Sequence, residues 1–200
     1  MLKNCSILKL LRNKGNLTNF SFHFYFFLNF CDIMNIEIRQ IKTDGSEIND
    51  AKDFLFAQID KEYHICPTPK FHYDIFDLEG YYIVPAKSNF FVAVDGEKIV
   101  ATAAIRPYDR DFEFFRGIYT PDDTASIWRL MVDRNYRRNG IAGVLVELLE
   151  NFARDEGYSR IYLHTHRYLE AGLPFWKSAG FEITVEEDDY DETTHMVKYL

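Results

Sequence analysis

Cysteine is scarce in this 200-residue chain, with three in all, Cys5, Cys31 and Cys66, and no pair stands as C-x-x-C. So odd and scattered a set gives no disulfide framework and no structural zinc site, and it implies a reducing compartment. Proline (6) and glycine (10) are few, which excludes a low-complexity or collagen-like chain. No apolar run approaches the roughly 20 residues of a membrane helix. Basic residues are the minority, 23 against 31 acidic, and a net charge of −8 leaves no basic stripe for nucleic acid. The acidity suits a cationic partner such as an amine. These absences predict a cytoplasmic protein with neither membrane nor nucleic acid as a partner.

What remains is an ordinary globular composition, 47% hydrophobic and 27% charged, of a length that suits one domain with a full core. Residues 1–33 stand apart. Lys3, Lys9, Arg12 and Lys14 precede an aromatic run broken by Ser21, His23 and Asn29. The run has neither the clean apolar stretch nor the small-residue cleavage site of a signal peptide. Residues 1–33 therefore read as a leader outside the domain, 34–200, best explained by a mis-called start with Met34 as the real initiator, with a degenerate anchor or an extra helix packed on the domain as the alternatives.

From Met34 the chain alternates strand and helix patterns. Ile36, Ile38 and Ile41 read as a first strand, and Ser46 is placed to cap a helix whose apolar face is Ile48, Ala51, Leu55, Ile59 and Tyr63. Pro67 and Pro69 end it, and residues 71–78 predict a second short helix. Two apolar runs, 90–94 and 99–106, flank Asp95-Gly96 and predict a hairpin. Residues 107–124 form a charged loop long enough to be functional. A strand at 125–133, a long helix after Gly140, a strand at 160–165, a short helix near Pro174 and two strands around the acidic turn 186–191 complete the chain.

The stretch 127–154 carries the chemistry. The strand ends in Leu130-Met131-Val132-Asp133, a polar turn follows, and Gly140-Ile141-Ala142 opens an amphipathic helix. Ile141, Val144, Leu145, Leu148, Leu149 and Phe152 form its apolar stripe, while Glu147, Glu150, Asn151 and Arg154 take the polar face. First-turn N–H groups lack intrahelical partners, and glycine lets a ligand approach bare backbone. With Arg137 and Arg138 beside it, such a turn is an anion site suited to phosphate.

The order Leu130-Met131-Val132-Asp133, Arg137-Arg138-Asn139-Gly140-Ile141-Ala142 and Phe175-Trp176-Lys177-Ser178-Ala179-Gly180-Phe181 resembles the GCN5-related N-acetyltransferase (GNAT) family over residues 35–200. The resemblance implies an α/β fold with a mixed, mostly antiparallel sheet of about seven strands, flanked by helices and splayed at its centre. It implies acetyl-CoA as cosubstrate, held by Arg137, Arg138, Asn139, Gly140, Ile141 and Ala142 at its pyrophosphate and by the backbone of Leu130, Met131 and Val132 along its pantetheine arm. The acceptor is then the primary amine of a small molecule or a peptide, and a homodimer is left open.

Two positions depart from the family. Ser126 stands where many relatives carry a glutamate, so proton removal falls to another group. Other relatives carry a glutamate twelve residues before the aromatic position of the later element, and counting back from Trp176 the resemblance puts His164 there as the candidate base, with His166 on the same strand face in reserve. Each also reads as an idle strand histidine. Trp176 replaces the family's usual tyrosine, and an indole N–H donates a hydrogen bond without giving up its proton. A competing reading is therefore a CoA-binding sensor or scaffold that has lost turnover. The His-x-His pair lacks a spaced set of further ligands, so no metal is expected.

Overall fold

The computed structural model describes residues 36–43 and 45–200. The expected leader, residues 1–33, lies outside the described residues. Strand β1 (Ile36–Gln40) is followed by helices α1 (Gly45–Tyr63), α2 (Pro69–Phe76) and α3 (Leu78–Tyr82). The hairpin strands β2 (Asn89–Asp95) and β3 (Lys98–Pro107) and the central strand β4 (Thr124–Val132) come next. Then follow α4 (Ile141–Asp155), β5 (Arg160–His166), α5 (Gly172–Ser178), β6 (Glu182–Glu186) and β7 (Thr193–Tyr199).

The strands form one seven-stranded sheet in the order β1-β2-β3-β4-β5-β7-β6. Every neighbouring pair is antiparallel except β4 and β5. Of three hydrophobic cores among the described residues, Tyr108, Phe115, Tyr119, Tyr162 and Val197 form the smallest, and the two largest lie on the two faces of the sheet. Under one, α4 and α5 bury Ile141, Leu145, Leu149 and Trp176 against Ile127, Ile161 and Leu163. On the other, α1, α2 and α3 bury Leu55, Ile59, Ile75 and Leu78 against Phe90, Val92, Ala104 and Trp128.

Three local expectations are corrected. The helix expected over 71–78 is two helices, parted at Asp77, whose backbone (φ −122°, ψ 59°) is not helical and whose side chain caps the Gly80 N–H at 3.0 Å. The first helix begins at Gly45, so Ser46 lies inside it rather than at its cap. Glu150, placed on the polar face of α4, is buried, because Lys198 of β7 and Arg154 both reach its carboxylate. Arg154 follows from the i,i+4 spacing of the helix, but Lys198 comes from a strand far along the chain and is not set by helical periodicity.

Candidate active site

The strand β4 shapes the site twice. Its pairing with β3 gains an extra residue between Trp128 and Met131, a bulge at which Arg129 adopts φ 50°. Trp128 and Arg129 consequently point to the same face, Trp128 into the core beneath α1–α3 and Arg129 onto Asp74 of α2. On its other edge β4 pairs with β5 only at Thr124, Ala125 and Ser126, opposite Arg160, Ile161 and Tyr162. Beyond Ser126 the two strands part. The register, if continued, would bring Trp128 to His164 and Leu130 to His166, so these residues line the two lips of the gap. Leu130, Met131 and Val132 thus lie along a strand edge that β5 does not cover. The Val132 carbonyl is already occupied, accepting Arg137 Nε–H at 3.0 Å.

The turn at the far end of β4 has the shape of an anion site. Gly140 sits at φ 83°, a left-handed conformation that a side chain disfavours, and it caps α4. The first helical bond runs from Val144 N–H to the Gly140 carbonyl at 3.1 Å. The N–H groups of Ile141, Ala142 and Gly143 therefore precede the helical ladder and face outward from its positive end. An added Cβ at Gly143 would meet nothing within 4 Å, so the approach is open.

The two arginines differ. Arg138 is exposed and makes no ion pair among the described residues, so it is free to meet a phosphate. Arg137 instead donates to Glu62 of α1 at 2.6 Å, and Arg134 joins the same carboxylate at 2.8 Å. These bonds, that to Arg134 first, hold Glu62 below the usual carboxylate range. Asn139 Nδ2 bonds the Tyr136 and Arg137 carbonyls and so braces the turn.

His164 lies on the face of β5 turned away from α4 and α5, partly buried, with Tyr162 and His166 on the same side. Burial, and next the charge of Arg110, hold its imidazole well below the usual range, so it is neutral at physiological pH. His166 bonds the Asp191 carbonyl through Nδ1 at 2.9 Å and stacks on Tyr168 at 5.3 Å, with Tyr63 edge-on at 6.1 Å. Trp176 is on the opposite face, packed between Phe175 and Phe181 in the core under α4 and α5. The structure thus brings His164 and His166 together and separates both from Trp176 by the thickness of the sheet.

Behind His164 runs a bonded chain that the sequence did not announce. Glu187 Oε1 meets His195 Nε2 at 2.7 Å, and His195 Nδ1 meets the Tyr162 hydroxyl at 2.7 Å. With Glu187 accepting from Nε2–H, Nδ1 accepts from tyrosine. His195 and Tyr162 are both fully buried, so the chain braces the wall rather than touching a substrate. A second network fixes the bulge. Asp74, wholly buried, accepts from Arg129 at 2.8 and 2.5 Å and from the Tyr82 hydroxyl at 2.5 Å. Burial alone would raise the Asp74 pKa, but these bonds and charges outweigh it and keep the carboxylate below its usual range. A cavity of about 390 Å³ lies by Gln40, Thr43, Tyr82, Ile83 and Asn89.

A profile of the Acetyltransferase (GNAT) family matches residues 53–181. The mouse N-acetyltransferase 8 is 31% identical over 133 residues, 66% of this chain and 56% of that protein. The zebrafish (Danio rerio) N-acetylaspartate synthetase is 31% identical over 119 residues, 60% of this chain and 38% of that protein. The matched stretch therefore spans from over a third to a little more than half the length of these relatives. An acetyltransferase from Streptococcus agalactiae superposes with a TM-score of 0.68 at 22% identity, covering 82% of this chain and 98% of that one. The chain belongs to the GNAT acetyltransferase family.

Proposed function

We propose that this chain transfers the acetyl group of acetyl-CoA to a primary amine, of a small molecule or a peptide, by direct attack in the gap between β4 and β5. The observation that carries the reading is that β4 is not paired with β5 beyond Ser126, with Gly140 at one end and His164 on the opposite lip. The names of the relatives, N-acetyltransferase 8 and N-acetylaspartate synthetase, support an amine acceptor. The scattered cysteines favour a reducing compartment, and we place the protein in the cytoplasm.

The residues fit acetyl-CoA. Gly140, Ile141, Ala142 and Gly143 offer backbone N–H groups to a diphosphate, Arg138 adds a free charge, and the uncovered edge of Leu130 to Val132 suits the amide-rich arm. Acetyl-CoA supplies an acyl group on a thiol whose pKa, about 8.5 by analogy with cysteine, lets it leave unaided. His164 accepts the proton of the attacking nitrogen, whose acidity rises as the new bond forms. Free N–H groups on the β4 edge can donate to the carbonyl oxygen. Trp176, buried on the other face, offers no acid.

The competing sensor reading draws on the same two residues, Ser126 and Trp176. Calorimetry with acetyl-CoA, paired with free-thiol release across an amine panel, separates them. The transferase reading expects binding together with amine-dependent thiol release, and binding without release would support the sensor.

A further inference from the structure

Three arginines converge on the acceptor face of the sheet, and two of them are matched. Arg129 is held by Asp74, and Arg106 Nη2 reaches Asp109 at 2.9 Å. Arg110 makes no hydrogen bond or ion pair with any described residue. Its guanidinium carbon stands 3.6 Å from the Trp128 ring centre, and that of Arg106 stands 4.0 Å from the same ring. This stack fixes both groups with little freedom to swing out to water.

Three nitrogens in this cluster lack acceptors. Arg106 Nε, Arg110 Nε and Trp128 Nε1 are all buried without a partner, and Arg106 and Trp128 are 4% and 8% exposed. All three groups can only donate. Buried donors around one unneutralised charge cost free energy until an acceptor arrives. Two guanidinium planes and an indole N–H suit a planar anion, which is to say a carboxylate.

The position is next to the chemistry. Trp128 stands on the β4 lip, in the register that would face His164, and the charge of Arg110 is felt at His164 and Tyr162 on the other lip. An anion on Arg110 therefore sits beside the candidate base. In an α-amino acid the amine and the carboxylate share one carbon, so seating the carboxylate presents the amine. A peptide N-terminus has an uncharged amide at that place.

We propose that Arg110, backed by Arg106 and Trp128, seats the acceptor's carboxylate, so that the substrate is a free α-amino acid. The inference rests on the acetyl-transfer reading above and narrows its acceptor from any amine to this class.

The test uses the full chain with CoA present, and the probes are the common α-amino acids, each beside its carboxamide and its decarboxylated amine. Calorimetry reads binding and free-thiol release reads turnover with acetyl-CoA. At least one amino acid is expected to bind roughly ten- to a hundredfold more tightly than its carboxamide, the usual value of a charge-assisted contact. Arg110→Gln should erase that preference, and Arg116→Gln, at an exposed arginine paired with Asp111, should keep it. Should Arg110→Gln not fold, Arg110→Lys keeps the charge without the planar fork and should lower the preference. Equal binding of acids and carboxamides, a preference that survives loss of Arg110, or no amino acid binding at all would overturn the proposal. Thiol release with amines regardless of a carboxylate would sink it and leave the transferase reading standing. Selective binding of amino acids with no thiol release would do the reverse.

Discussion

Arg137 of the phosphate turn and Glu62 of α1 are joined at 2.6 Å across 75 positions of sequence, so the turn's first arginine fastens it to a helix instead of pointing at a ligand. The pair is partly exposed, with Arg137 35% and Glu62 17% accessible, and its contribution to stability is correspondingly small. A double-mutant cycle with Glu62→Gln and Arg137→Ala should give a coupling of about 0.5–1 kcal/mol by denaturant unfolding. Acetyl-CoA affinity should fall similarly in either single variant, since both release the turn. Loss of affinity in Arg137→Ala alone would mean that the guanidinium contacts phosphate directly.

Gly140→Val should weaken acetyl-CoA binding more than any single arginine change. The left-handed conformation at φ 83° costs a side chain roughly 1–2 kcal/mol, and a branched Cβ narrows the approach to the free N–H groups. Thermal unfolding should drop by only a few degrees while affinity falls at least tenfold. Wild-type affinity in this variant would move the phosphate site elsewhere.

Asp74→Ala should be the most damaging substitution on the α1–α3 face of the sheet. It strands Arg129, itself largely buried, without its carboxylate, and breaking such a pair costs about 3–5 kcal/mol. Replacing both residues, Asp74→Ala with Arg129→Met, should recover part of the loss. Chemical denaturation of the three variants checks this, and a single-variant cost below about 1 kcal/mol would show the pair to be dispensable.

Stability should decline as pH falls below about 6.5, the unfolded histidine value. Burial depresses the folded pKa of His72, His164 and His195. Above that pH these imidazoles are neutral in both states and favour neither. Below it the unfolded chain takes up protons that the folded chain resists, and stability is lost until the folded values are passed. Melting temperatures from pH 8 to 5 should show the decline, less steeply in His164→Gln. An unchanged slope in that variant would mean that His164 is not held neutral by the fold.

The sequence was most legible where periodicity governs. The stripe of α4, the hairpin around Gly96 and the turn ending at Gly140 all follow from local pattern, because their geometry is set by residues a few positions apart. It was least legible where a partner comes from far along the chain. Nothing near Arg137 names Glu62, nothing near Glu150 names Lys198, and the bulge that turns Trp128 and Arg129 to one face shows no glycine to betray it. Arg110 stood out only as one charge among several in the 107–124 loop. Its isolation depends on Asp74 and Asp109 being taken by Arg129 and Arg106, which is a property of the fold and not of spacing. The chain from Glu187 through His195 to Tyr162 joins β7, its preceding turn and β5, and is equally invisible to pattern.

The central claim is acetyl transfer between β4 and β5 with His164 receiving the proton, and free-thiol release with an identified amine acceptor tests it most directly. Wild type should release thiol in proportion to acetylated amine. Because His164 is already neutral at pH 6.5, the rate should show no inflection near that value and should rise toward the amine's own pKa, about 10. His164→Ala should cut turnover by roughly 10²-fold with acetyl-CoA affinity unchanged. Unchanged turnover in His164→Ala, or no thiol release from wild type with any amine, would contradict the account.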